Sequence, residues 1–192
     1  MEPWLSFYSS HFTPMDEADT FVRTCENLQS SAPNHVAKIM MHQAQRLISI
    51  ADDLPRIMPH NEPLQVMFLI MCSENIAKLH DGFSGEGKSR QYVQQFFSKF
   101  LSPPDKDTLS NGLTVNKDWL PPLGFDGAVN LLYDIRCSVV HEGIYTDFAF
   151  HDGHSSMVNT HPNVTAEISF IQIRDIVVRG CIRATNDKLL NA

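Results

Sequence analysis

The chain has 192 residues, of which 43% are apolar and 19% charged, and its formal net charge is −7. That length suits a single domain whose core needs neither disulfide nor metal, and the acidic balance disfavours a nonspecific nucleic-acid binder, which draws its affinity from neutralised phosphates. The longest apolar run, Val66 to Cys72, falls far short of the roughly 20 residues that cross a bilayer, and the MEPWLSFYSS start lacks a signal-peptide core, so the expectation is a cytoplasmic protein with no membrane partner.

In chain order, residues 15–28 form a weakly amphipathic helix. Ser31, Ala32 and Pro33 break it, and Asn34 is placed to cap the next one. There Val36, Ile39, Met40, Leu47, Ile48, Ala51 and Leu54 fall on one helical stripe, closed by Pro55 and Pro59. Pro63 opens a segment to about Asp81 that is apolar nearly all round at Val66–Cys72, the mark of a central buried helix. Glu74, Asn75 and Lys78 give its later turns a polar face. After a glycine-rich loop, Asp81 to Lys88, Ser89 reads as a cap for a helix in which Tyr92, Val93, Phe96, Phe97, Phe100 and Leu101 repeat in pairs. Pro103-Pro104 stops that helix, and residues 102–126 read as irregular.

Residues 127–141 are helical again, with Ala128, Leu131, Leu132, Ile135 and Val139 on one side and Gly143 placed to end the helix in left-handed backbone. Residues 146–151 and 155–159 flank Asp152-Gly153 as a hairpin, and Val164, Ala166 and Ile168 alternate as a third short strand. Ser169 and Gln172 form a capping box for a final helix. The expected fold is mainly α: one domain over 1–192, a bundle of about six helices with a small β-hairpin insertion at about 144–168, before the last helix.

The four cysteines, Cys25, Cys72, Cys137 and Cys181, contain no CxxC pair. Cys72, Cys137 and Cys181 stand among apolar neighbours and read as small packed hydrophobes in a reducing compartment. No metal and no cofactor is expected. His151, His154 and His161 gather near Asp147 and Asp152, but their spacing across a turn is no recognised ligand frame, so a polar turn is the better reading.

Two motifs carry chemistry. The stretch Gly82 to Ser89 matches the phosphate-loop pattern G-x-x-x-x-G-K-S/T. A true loop of this kind would set Lys88 on a nucleotide's phosphates and Ser89 on its magnesium. It needs a strand before it, and here a long apolar helix precedes it, so an inter-helix turn is the favoured reading. The second motif is Tyr133-Asp-Ile-Arg136-Cys-Ser-Val-Val-His141-Glu-Gly143. An Arg and a His five residues apart stand about 140° apart on a regular helix, so they converge only where the helix ends or distorts before His141 or where the long Arg side chain curls round, unless a dimer partner completes the site.

This second stretch, together with the helix-rich layout before it and the Phe-rich helix at 89–101, resembles the HEPN superfamily of bacterial proteins, whose signature is an Arg, four to six residues, then a His at the end of a core helix. The resemblance covers about residues 34–190. It implies a helical bundle that forms a homodimer, with two motifs meeting in one cleft. Many such proteins are metal-independent ribonucleases in toxin–antitoxin or defence systems. Others are non-catalytic modules that bind a protein, a nucleotide or RNA. Carried onto this sequence, Arg136 would hold the scissile phosphate and His141 would act as general acid or base, giving a 2′,3′-cyclic phosphate. Glu74, Tyr133, Cys137 and Glu142 are the supporting candidates, with Glu74 expected to face Arg136 from the central helix. RNA or an antitoxin-like protein is the implied partner. Cys137 as a nucleophile is disfavoured, because a helix C-terminus raises a thiol pKa.

Overall fold

A computed structural model describes residues 2–85, 87–117, 119–144, 148–150, 157–158 and 163–191. Among them the chain forms eight α-helices: α1 (Glu2–Tyr8), α2 (Met15–Glu26), α3 (His35–Ile57), α4 (Glu62–Asp81), α5 (Ser89–Phe100), α6 (Pro103–Gly112), α7 (Gly124–Cys137) and α8 (Phe170–Leu190). Four short strands accompany them: β1 (Leu113–Val115), β2 (Phe148–Ala149), β3 (Met157–Val158) and β4 (Val164–Ala166). The fold is mainly α, with eight helices where about six were expected; α1 and α6 are the additions.

The centre is α4, which packs against α3, α5, α7 and α8. A helix touched on so many sides must be apolar nearly all round, and Val66, Leu69, Ile70, Cys72, Ile76 and Ala77 are fully buried. Burying each of its large aliphatic side chains contributes about 1.5–3 kcal/mol. Its buried polar groups all find partners, as burial demands. Ser73 Oγ donates to the Leu69 carbonyl at 3.0 Å, and Gln65 Nε2 donates to the Ala51 carbonyl at 3.0 Å.

That last bond explains one departure from expectation. Pro55 does not close α3, which runs on to Ile57. A proline inside a helix strands the carbonyl four residues before it, here that of Ala51. The Gln65 amide supplies the lost donor from the neighbouring helix.

A second departure is α6. Pro103-Pro104 does end α5, but the same pair opens a new helix, since proline's missing N–H costs nothing in a first turn. Ser102 caps it, its hydroxyl accepting from the Asp105 N–H at 3.3 Å. Residues 102–126 are therefore not an irregular loop. They hold α6 and β1, and β1 pairs antiparallel with β4 in the register Leu113↔Ala166 and Val115↔Val164. The expected hairpin is present as β2 paired with β3, Phe148 opposite Val158. The third strand thus joins β1 in a separate two-stranded sheet. The turn at 151–156 and the histidines 151, 154 and 161 lie outside the described residues.

Helix α8 begins with the expected capping box of Ser169 and Gln172. It packs on α3, α4 and α5. At Gly180 it comes so close to α5 that an added Cβ would sit 2.7 Å from the Phe96 ring. The expected caps Asn34 and Ser89 are corrected: Asn34 makes no side-chain capping bond, and Lys88, in left-handed backbone, takes the cap position of α5. Of the cysteines, Cys25, Cys72 and Cys181 are buried, while Cys137 is half-buried. No helix is long and apolar enough to cross a membrane among the described residues.

Candidate functional site

Arg136 and His141 sit at the end of α7. Its buried face, Ala128, Leu131, Leu132 and Ile135, docks the helix on the core. Regular α geometry stops at Cys137, and Ser138–Glu142 form a π-helical turn. Gly143 ends it with φ 67°, and the N–H groups of Gly143 and Ile144 both close on the Ser138 carbonyl, the latter at 3.2 Å. Such single π turns are uncommon and recur at functional sites. The wider turn bonds residue i to i+5, so it rotates His141 back toward Arg136 from the α-helical separation. Val139 is buried and anchors the turn, while Val140, His141 and Glu142 are exposed.

Arg136 itself is largely covered, with 15% of its side chain exposed. Its Nη2 lies 3.5 Å from Oε2 of Glu74, whose side chain is 8% exposed. The Glu74–Arg136 meeting is the one expected from the central helix. The other Glu74 oxygen accepts from Lys78 Nζ at 2.6 Å and from Ser89 Oγ at 2.7 Å. One buried carboxylate thus ties α4, α5 and α7 together and faces two cations. A buried carboxylate without such partners would be costly.

The Arg136 guanidinium is far from saturated. Charge-assisted bonds run at about 2.7–2.9 Å, and its single carboxylate contact is longer than that. Among the described residues Nη1 reaches only the Cys137 sulfur, at 4.0 Å. Nε is buried with no hydrogen-bond partner among the described residues. Arg174, by contrast, holds Asp52 through three bonds of 2.8–3.1 Å, and Arg179 grips Asp105 through two, at 2.9 and 2.5 Å.

Tyr133 lies beside this cluster. The Arg136 guanidinium carbon is 5.6 Å from its ring centre and that of Arg90 only 4.5 Å. Burial pushes the Tyr133 phenol up from its ordinary range, and its hydrogen bond with Cys137 adds to this. Arg90 in turn donates to Asp134 at 2.6 Å.

The remaining candidates separate. Ser89 joins the Glu74 network. Lys88 is exposed, with its ammonium 5.7 Å from the Phe83 ring. The Gly82–Ser89 loop follows helix α4, and both sheets are antiparallel pairs. The strand–loop–helix unit of a phosphate loop is therefore missing, and its serine is spent on Glu74. Lys78 was read from sequence only as part of a polar face, and Arg90 not at all. Lys78 carried a signal, standing one helical turn after Glu74; Arg90 carried none, because only the packing of α5 on α7 brings it to Tyr133. Among the described residues no three His, Cys, Asp or Glu side chains converge as a metal site.

Fold and site together define a mainly α-helical protein with a carboxylate-bridged basic cluster at the junction of α4, α5 and α7. No family model matches the chain, and neither a curated protein nor a solved structure does.

Proposed function

We propose that this chain is a HEPN-like helical module that engages an RNA phosphodiester through Arg136, with metal-independent cleavage by Arg136 and His141 as its chemistry. One observation carries the reading: among the described residues Arg136 is a covered guanidinium with unspent donors, including a buried Nε without a partner. A buried donor left unpaired is destabilising unless something else fills it. A phosphate oxygen has the charge and the lone pairs to do so. The π turn supports the pairing with His141.

In the reaction, one imidazole takes the proton from the 2′-hydroxyl as O2′ attacks phosphorus. The bond from phosphorus to the 5′-oxygen breaks, and that oxygen is protonated by a second imidazole, supplied by the other copy of a homodimer. Arg136 stabilises the charge developing on the phosphoryl oxygens. The products are a 2′,3′-cyclic phosphate and a 5′-hydroxyl.

A second reading is a non-catalytic HEPN-like module that binds RNA, a nucleotide or a protein. The Glu74 contact favours it, because an internal carboxylate already occupies one side of the guanidinium.

The test pairs binding with cleavage on a single-stranded RNA in the presence of EDTA. The expected result is cleavage by the native chain, lost in His141→Ala, with RNA binding lost in Arg136→Ala. Binding without cleavage selects the second reading. If the native chain does not bind RNA at all, the phosphodiester assignment is wrong.

A further inference from the structure

The surface beside Arg136 continues along α7. Asn130, Tyr133 and Arg136 stand three residues apart, about 4.5 Å of rise each, and α5 lays Arg90 and Gln94 against them. Arg90 Nη1 and Gln94 Nε2 both donate to Asn130 Oδ1, at 3.2 and 3.0 Å. The Arg90 guanidinium carbon lies 4.5 Å from the centre of the Tyr133 ring, yet 47% of its side chain is exposed. The guanidinium thus rests over an aromatic ring and is held by two bonds, to Asn130 and Asp134. Gln94 is exposed, and the amide groups of Gln94 and Asn130 spend only one donor and one acceptor on each other. What is left over is a donor–acceptor pair next to a fixed, open guanidinium plane.

This combination matches an unstacked nucleobase. A base stacks on an aromatic ring or a guanidinium plane and is read on its edge by amides. A peptide would call for apolar pockets, and a double helix for a row of phosphate contacts.

We propose that Arg90, Gln94 and Asn130 form a nucleotide shelf. It takes the base adjoining the phosphate at Arg136, so that the ligand is single-stranded RNA. The inference rests on the RNA reading of Arg136. Base stacking on Arg90 carries the binding, and the Gln94–Asn130 amides select among bases.

The experiment uses the His141→Ala chain, which leaves RNA intact, and follows fluorescence anisotropy of a labelled ten-nucleotide single-stranded RNA. Arg90→Gln should weaken binding at least about fivefold, and Arg90→Lys, which keeps the charge but loses the plane, should weaken it similarly. The exposed Gln94→Ala should shift preference among oligo-A, oligo-C and oligo-U with little change in melting temperature. If Arg136→Ala weakens binding while both Arg90 variants stay within twofold, the shelf is wrong and the Arg136 reading stands. A chain that binds no RNA overturns both. Equal affinity for the DNA of the same sequence overturns RNA as the ligand class.

Discussion

At the scale of single residues, the most instructive side chain is Gln65. It is buried and donates to the carbonyl that Pro55 strands on α3. Gln65→Leu keeps the bulk and removes the donor, leaving that carbonyl unpaired in the interior. The expected cost is about 1–3 kcal/mol, measured by urea unfolding. The same substitution in a Pro55→Ala background should cost much less, because the backbone then supplies its own N–H; equal costs in both would show that the bond does not compensate for the proline. Such pairings explain what sequence alone could and could not deliver. Glu74 was legible as part of the polar face on the later turns of the central helix, and Arg136 was the cation marked by its motif. Arg90, Asn130 and Gln94 were not legible. They are ordinary polar residues on two helices, and only the packing angle between those helices makes them neighbours.

At the scale of elements, the helices with strong periodicity or clear caps were readable, and the missed ones were short. α1 has seven residues and α6 ten, and two consecutive prolines serve equally well as the end of one helix and the start of the next. The sheet pairing was harder, since β1 and β4 are each three residues long and far apart in the chain; nothing local selects one partner for so short a strand. Where a local signal was complete, as at the Ser169–Gln172 capping box, it held. Ser169→Ala should lower stability by about 1 kcal/mol. A thermal melt reads this, and an unchanged midpoint would show that the N-terminus of α8 is satisfied by other means.

At the scale of the whole molecule, carboxylates join the helices to one another. Asp187 on α8 lies 2.7 Å from His80 Nε2 on α4, and that contact holds its carboxyl below the usual range. Burial pushes the carboxyls of Asp105 and Asp81 up, but their partners outweigh it: Arg179, Ser102 and Arg183 around Asp105, Gln95 and His80 around Asp81. All three are lowered on folding. Their contribution is therefore fully present above the ordinary carboxylate pKa of about 4 and is lost as pH falls through the lower folded values. The urea midpoint should drop as pH falls below about 4, with Asp105→Asn flattening part of that slope. A midpoint indifferent to pH in that window would remove these contacts from any account of stability.

The π turn at Ser138–Glu142 amounts to one surplus residue accommodated inside a helix. Shortening the segment by a single position between 138 and 140 would let it relax to α spacing. The arginine and the histidine would then stand four residues apart, about 40° on a regular helix, so that one deletion would still leave them on one face. Straightened to α spacing with the surplus residue kept, the segment would set the two about 140° apart instead. The wide turn thus does for a five-residue spacing what an α-helix does for a four-residue one.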